Sequence, residues 1–138
     1  MDHLLGRPLR VPHRWIMIAA AVVAAIAHLP VIAPHLEEAP YMGVLFIVLT
    51  LACLTLAAAM AVHDSAVVYA LSVLTCGLAV IGYAATRLIA FPMLADDVGN
   101  WLEPLGVVSI VSESIVVIGA LSALARGRAV PAGAGSGS

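Results

Sequence analysis

Two ionisable side chains, His28 and Glu113, stand inside otherwise apolar stretches. Such groups are costly in hydrocarbon; they face a bundle interior or a cavity and mark ion paths, proton relays or ligand sites. His28 follows Trp15 by 13 residues, about 20 Å along a helix. Glu113 follows Pro104 by nine, about 13 Å. If the first helix rises from the inner interface and the last descends from the outer one, the two heights nearly coincide, in the outer half of a core about 30 Å thick. The same arithmetic brings Thr50 and Cys53 to that height, with Tyr83 nearer the surface. Ser109, four residues before Glu113, shares its helical face.

A carboxylate left alone at that depth is neutralised by a proton. Paired with His28 it forms an ion pair or shares a proton. Histidine and carboxylate donors together also suit zinc, manganese or iron, and Met42 and Met93 near the same level would shift the preference toward copper. The candidate metal ligands are therefore His28, His35 and Glu113, for a transition metal, copper or zinc. No compact ligand motif such as HExxH is present. The alternative is that Glu113 is protonated and hydrogen-bonds Ser or Tyr groups to fix helix register, and that His28 is a satisfied core histidine.

Around this layer the sequence places an acidic rim: Glu37, Glu38, Asp96, Asp97 and Glu103, with His35 and Arg87 as neighbours. Five acids against one arginine attract cations; the alternative is a set of solvated loop acids. A pocket lined by His28, Glu38, Arg87, Asp97 and Glu113 follows as the expectation. Pro30 and Pro34 predict a kink or unwinding at the outer end of the first helix, which would free carbonyls to line a cavity.

The elements that must hold these groups are set by composition. Of 138 residues, 63% are hydrophobic and 10% charged, and the mean hydropathy is +1.11. Ordinary soluble domains are about 45–50% apolar and 25% charged, and a chain this short could not hide the excess from water. A soluble enzyme, a disordered chain and a disulfide scaffold are excluded. A net charge of −2 gives no basic face for nucleic acid. With no Lys, a retinal Schiff base is excluded, and one histidine within the core argues against bis-histidine haem. Cys53 and Cys76 lie in apolar runs without CxxC spacing and read as packing groups.

Four stretches, about 15–33, 43–62, 66–86 and 105–125, approach the roughly 20 apolar residues that span hydrocarbon, and unpaired backbone is not tolerated there, so each must be helical. Arg7, Arg10 and Arg14 precede the first and Arg126 and Arg128 follow the last. The positive-inside rule makes that side cytoplasmic. The expected fold is all-α: a four-transmembrane-helix bundle, antiparallel up-down, with both termini cytoplasmic, in a bacterial inner or plasma membrane. Residues 1–14 form a cytoplasmic or interfacial start, 15–125 the bundle, and 126–138 a disordered tail. The outer loops are His35–Met42 and Arg87–Pro104, the second able to hold a short lid over Pro92–Trp101. A rival reading takes Ile16–Ala27 as the core of a signal peptide cleaved after Ala27. Small residues at four-residue spacing, Ala20/Ala24, Ala21/Ala25, Gly119/Ala123 and Ala120/Ala124, allow close helix packing, within one chain, in a homo-oligomer or in a larger membrane complex.

The string His28…His35-Leu36-Glu37-Glu38-Ala39-Pro40-Tyr41-Met42-Gly43-Val44-Leu45-Phe46, with Arg87…Pro92, Asp96-Asp97, Glu103-Pro104 and Glu113, resembles small, uncharacterised four-helix integral membrane proteins of actinobacteria over about residues 15–125. Thr86-Arg87-Leu88 stands where such relatives often read Ser-Arg-Thr. The resemblance implies a topology and a set of positions, and no activity. Three functions follow as expectations: an outward-facing pocket that binds a cation or transition metal, a non-enzymatic accessory subunit, or a small membrane enzyme using His28 and Glu113 as acid and base on an amphiphilic substrate.

Overall fold

Apolar side chains continue around most of each stretch, so propensity and burial of backbone polar groups, rather than a single greasy face, determine the helices. The structure, a computed structural model, describes residues 6–129. Four helices carry it: α1 (Arg14–Glu38), α2 (Pro40–Val62), α3 (Ala66–Leu88) and α4 (Pro104–Ala129). All four are long and apolar enough to cross a membrane. A single 3₁₀ turn, Ala95–Asp97, lies between α3 and α4.

The helix ends fall where the chain forces them. Pro40 and Pro104 open α2 and α4 at a first-turn position that has no helical N–H bond to lose. Glu103 accepts the N–H groups of Leu105 and Gly106 at the start of α4, where anionic groups also complement the helix dipole. Only Ala39 separates α1 from α2. Gly43 makes this turn possible, since a Cβ there would stand 2.7 Å from the Leu36 backbone nitrogen.

Two expectations about the loops are corrected. α1 stays helical through Pro30 and Pro34 to Glu38, so its end does not unwind. What was read as a first outer loop is helix on both sides of Ala39. In a helix long and apolar enough to cross a membrane, the neighbouring turns re-form around the groups that proline frees. At the other end α4 runs to Ala129, past the predicted limit at 125; the rest of the expected tail, 130–138, lies outside the described residues.

Each helix packs on the next, and α4 closes back on α1. The core is built from small side chains: Ala20, Ala21, Ala24 and Ala25 of α1 meet Cys53, Ala57 and Met60 of α2, Cys76 of α3, and Val116, Ala120 and Ala123 of α4. Leu, Ile and Val point outward in every helix, the arrangement that lipid, not water, permits.

The N-terminal segment 6–13 straps one end of the bundle. Leu9 N–H donates to the Asp64 carbonyl at 2.8 Å, Val11 N–H to its carboxylate at 2.7 Å, and Arg14 Nη1 lies 3.4 Å from the same carboxylate. His63 Nε2 bonds the Gly6 carbonyl at 2.8 Å, and His13 Nε2 the Gly119 carbonyl at 3.2 Å. A different set of contacts fastens the segment after α3. Tyr41 donates to the Pro92 carbonyl at 2.7 Å and Tyr83 to the Trp101 carbonyl at 2.9 Å.

Candidate functional site

His28 sits in the middle turns of α1, on the face that carries Ala24, Ala25 and Ala27 into the core. Glu113 sits on the buried face of α4 with Ser109, Ser112 and Val116. These faces meet because the alanines of α1 let α4 approach closely. His28 Nε2 lies 3.3 Å from Glu113 Oε1, and the residues are 4% and 1% exposed. The matching heights inferred from helical rise are thus realised as contact.

The pair is incompletely satisfied. Neither His28 Nδ1 nor Glu113 Oε1 has a hydrogen-bond partner among the described residues. The 3.3 Å approach is an ionic or proton-sharing distance without the alignment of a hydrogen bond. The nearby hydroxyls do not compensate. Ser112 donates to the Val108 and Ser109 carbonyls, Ser72 to Val68 and Thr50 to Phe46, each bonding backward along its own helix. The expected alternative, Glu113 held by Ser or Tyr hydroxyls, has no such bond behind it. Buried polar atoms without partners are costly and ask for an explanation in function.

The other expected site residues separate into two groups. His35 lies two turns beyond His28, and Phe46 of α2 stands against both rings, its centroid 5.5 Å from that of His28 and 4.8 Å from that of His35. His35 Nδ1 bonds the Val31 carbonyl at 2.7 Å. Glu37 and Glu38 are exposed at the end of α1. Among the described residues, no three His, Cys, Asp or Glu side chains converge to hold a metal ion.

Arg87 and Asp97 form the second group. Arg87 is buried, with Nη1 3.2 Å from Asp97 Oδ1 and its guanidinium 4.4 Å over the Tyr83 ring. The Arg87 carbonyl accepts the Gly99 N–H. This contact fastens segment 89–103 to the end of α3, so two members of the acidic rim are already committed: Asp97 to Arg87, Glu103 to the start of α4. An apolar groove of about 450 Å³ runs between α1 and α4, with Ile16, Ala20, Val111 and Ser112 among its walls; it includes neither His28 nor Glu113.

Three features escaped sequence reasoning. Phe46 was legible only as another apolar residue. The thiols of Cys53 and Cys76 are fully buried on the neighbouring helices α2 and α3; their nearly equal distance from the 63–65 turn, 10 residues before it and 11 after it, was the available signal. Asp64, in the short polar turn His63-Asp64-Ser65 between two apolar stretches, organises the N-terminal strap.

Compared with family models, curated proteins and solved structures, the chain matches none.

Proposed function

We propose that the chain is a multi-pass protein of a bacterial inner or plasma membrane whose working part is the His28–Glu113 pair, a buried cation site in which the cation is a proton. One observation carries this reading: a base and an acid from different helices meet at 3.3 Å where both are buried, and His28 Nδ1 and Glu113 Oε1 have no hydrogen-bond partner among the described residues. Two donor atoms are what a proton needs, whereas structural zinc takes four ligands. Moving the proton between His28 and Glu113 exchanges a charged pair for a neutral one, and in a low-dielectric core that difference is felt by the whole α1–α4 contact.

The orientation that goes with this reading is antiparallel, with both ends cytoplasmic. It is supported by contacts that gather segment 6–14, the 63–65 turn and the last turns of α4 at one end. It is also supported by the arginines at that end, as the positive-inside rule requires.

The test is infrared difference spectroscopy of the reconstituted protein during a pH titration. A protonated-carboxyl band that is absent in Glu113→Gln and displaced in His28→Ala is expected. A band indifferent to His28→Ala overturns the reading. Elemental analysis of the same preparations decides the transition-metal version: stoichiometric zinc or copper, lost in both variants, would transfer these donors to a metal and overturn the proton assignment.

A further inference from the structure

A second polar feature lies at the strapped end of the bundle, away from the His28–Glu113 pair. A groove of about 500 Å³ opens there, lined by Arg10, Arg14, Trp15, Val62 and Asp64 among others. That volume is within the usual range for a small-ligand site.

The groove is held open by the backbone. Residues 9 and 11 are both tied to Asp64, one through its carbonyl and one through its carboxylate. Arg10 between them takes φ of 52°, a left-handed conformation that a non-glycine residue keeps only when its surroundings impose it. Its side chain is exposed and has no acidic partner among the described residues. Asp64 does not cancel it, because that carboxylate is occupied by the Val11 N–H and by Arg14. Arg7 is exposed in the same strap. A Cβ at Gly127 would touch Leu9 at 3.4 Å, so the neighbouring Arg126 belongs to this end too. The remaining walls are apolar and outward-facing: Trp15 is 58% and Val62 73% exposed. Tryptophan at such a position is an interfacial anchor.

We propose that this groove binds the phosphodiester head of an anionic phospholipid. Arg10 grips the phosphate oxygens through its two-pronged guanidinium. Arg14, paired with Asp64 and lying over the Trp15 ring, shapes the wall beside it, and Trp15 and Val62 cover the glycerol and upper acyl chain. A direct hydrogen bond between the guanidinium and a charged phosphate oxygen is worth about tenfold in binding.

The experiment uses the full chain carrying Trp101→Phe, so that Trp15 alone fluoresces, in vesicles of equal parts phosphatidylglycerol and phosphatidylcholine with one or the other brominated. Bromine quenches only on contact. Quenching by the anionic lipid exceeding that by the zwitterionic one by about tenfold is expected, falling to near parity in Arg10→Gln and persisting at molar salt. Equal quenching by both lipids, or a preference unchanged in Arg10→Gln, overturns the proposal. A preference that molar salt erases reduces it to diffuse attraction, and one that inorganic phosphate erases assigns the groove to free phosphate; either result also overturns it. Arg10 is exposed, so its substitution leaves the fold intact.

Discussion

Replacing His28 by Ala and Glu113 by Gln, singly and together, measures what their contact contributes. At 3.3 Å and an effective dielectric of about 20, the gross attraction between unit charges is about 5 kcal/mol. Breaking a buried pair in a soluble protein costs about 3–5 kcal/mol, because one charge is left unpaired. Neither figure is the expected one here. When a membrane bundle opens, its helices stay inserted, and a polar group in the open state finds other partners; polar contacts between membrane helices average about 0.6 and reach about 1.7 kcal/mol. The pair is buried, yet it lacks hydrogen-bond alignment. The expected coupling is therefore about 1–2 kcal/mol, near the top of that range. Reversible unfolding in mixed micelles of the parent, both single variants and the double variant yields it. Stacking of His28 against Phe46 is lost equally along both edges and cancels. Additivity within about 0.3–0.5 kcal/mol is the behaviour of independent sites, and finding it would refute a working pair.

Three further outcomes follow from the geometry. Asp64→Asn keeps the turn but loses the ionic hold on Arg14 and weakens the bond from Val11; a loss of about 1–3 kcal/mol is expected, read as faster proteolysis of segment 6–13 with α1–α4 still protected. Gly43→Ala drives a Cβ to 2.7 Å from backbone at Leu36, and overpacking of about 1–3 kcal/mol should lower micelle stability where Gly82→Ala, with open space around it, does not. In a Cys53→Ala/Cys76→Ala background, single cysteines at Arg7 and Val98 should react with an impermeant thiol reagent from opposite faces of oriented vesicles; labelling of both from one face would refute the antiparallel arrangement.

The sequence makes the four helices legible because lipid asks one simple question of each stretch, whether it is apolar and long enough. It also makes the height of His28 and Glu113 legible, because helical rise converts residue number into depth. Rotation about the helix axis is a different matter. With apolar residues on every side of α2 and α4, no face is marked as inward, so Phe46 could not be placed between His28 and His35, nor Cys53 against Cys76. His35 failed to join the pair for the same reason. Seven residues give two turns and nearly the same face, but also about 10 Å of rise, and Phe46 fills that interval. Pro30 and Pro34 do not unwind the helix, because the turns around them re-form the bonds a proline breaks.

Among the described residues, three acid–base contacts, each between different elements, supply the rotational information that hydrophobicity withholds. Arg14–Asp64 ties the start of α1 to the turn after α2, His28–Glu113 ties α1 to α4 in the core, and Arg87–Asp97 ties α3 to the segment leading into α4. The two outer contacts have further partners: the Asp64 carboxylate also accepts the Val11 N–H, and Arg87, whose Nε alone is left without one, also reaches the Asp97 carbonyl and covers Tyr83. The central one alone leaves open atoms on both partners. A bundle that needed only register would gain from completing that contact with hydroxyls already in the neighbouring turns, yet Ser109, Ser112, Thr50 and Ser72 have no bond to it. Ser112→Ala should consequently leave both the coupling of His28 to Glu113 and the carboxyl band unchanged. A shift in either would mean that the serine completes the pair, and the incompleteness on which the proton reading rests would be gone.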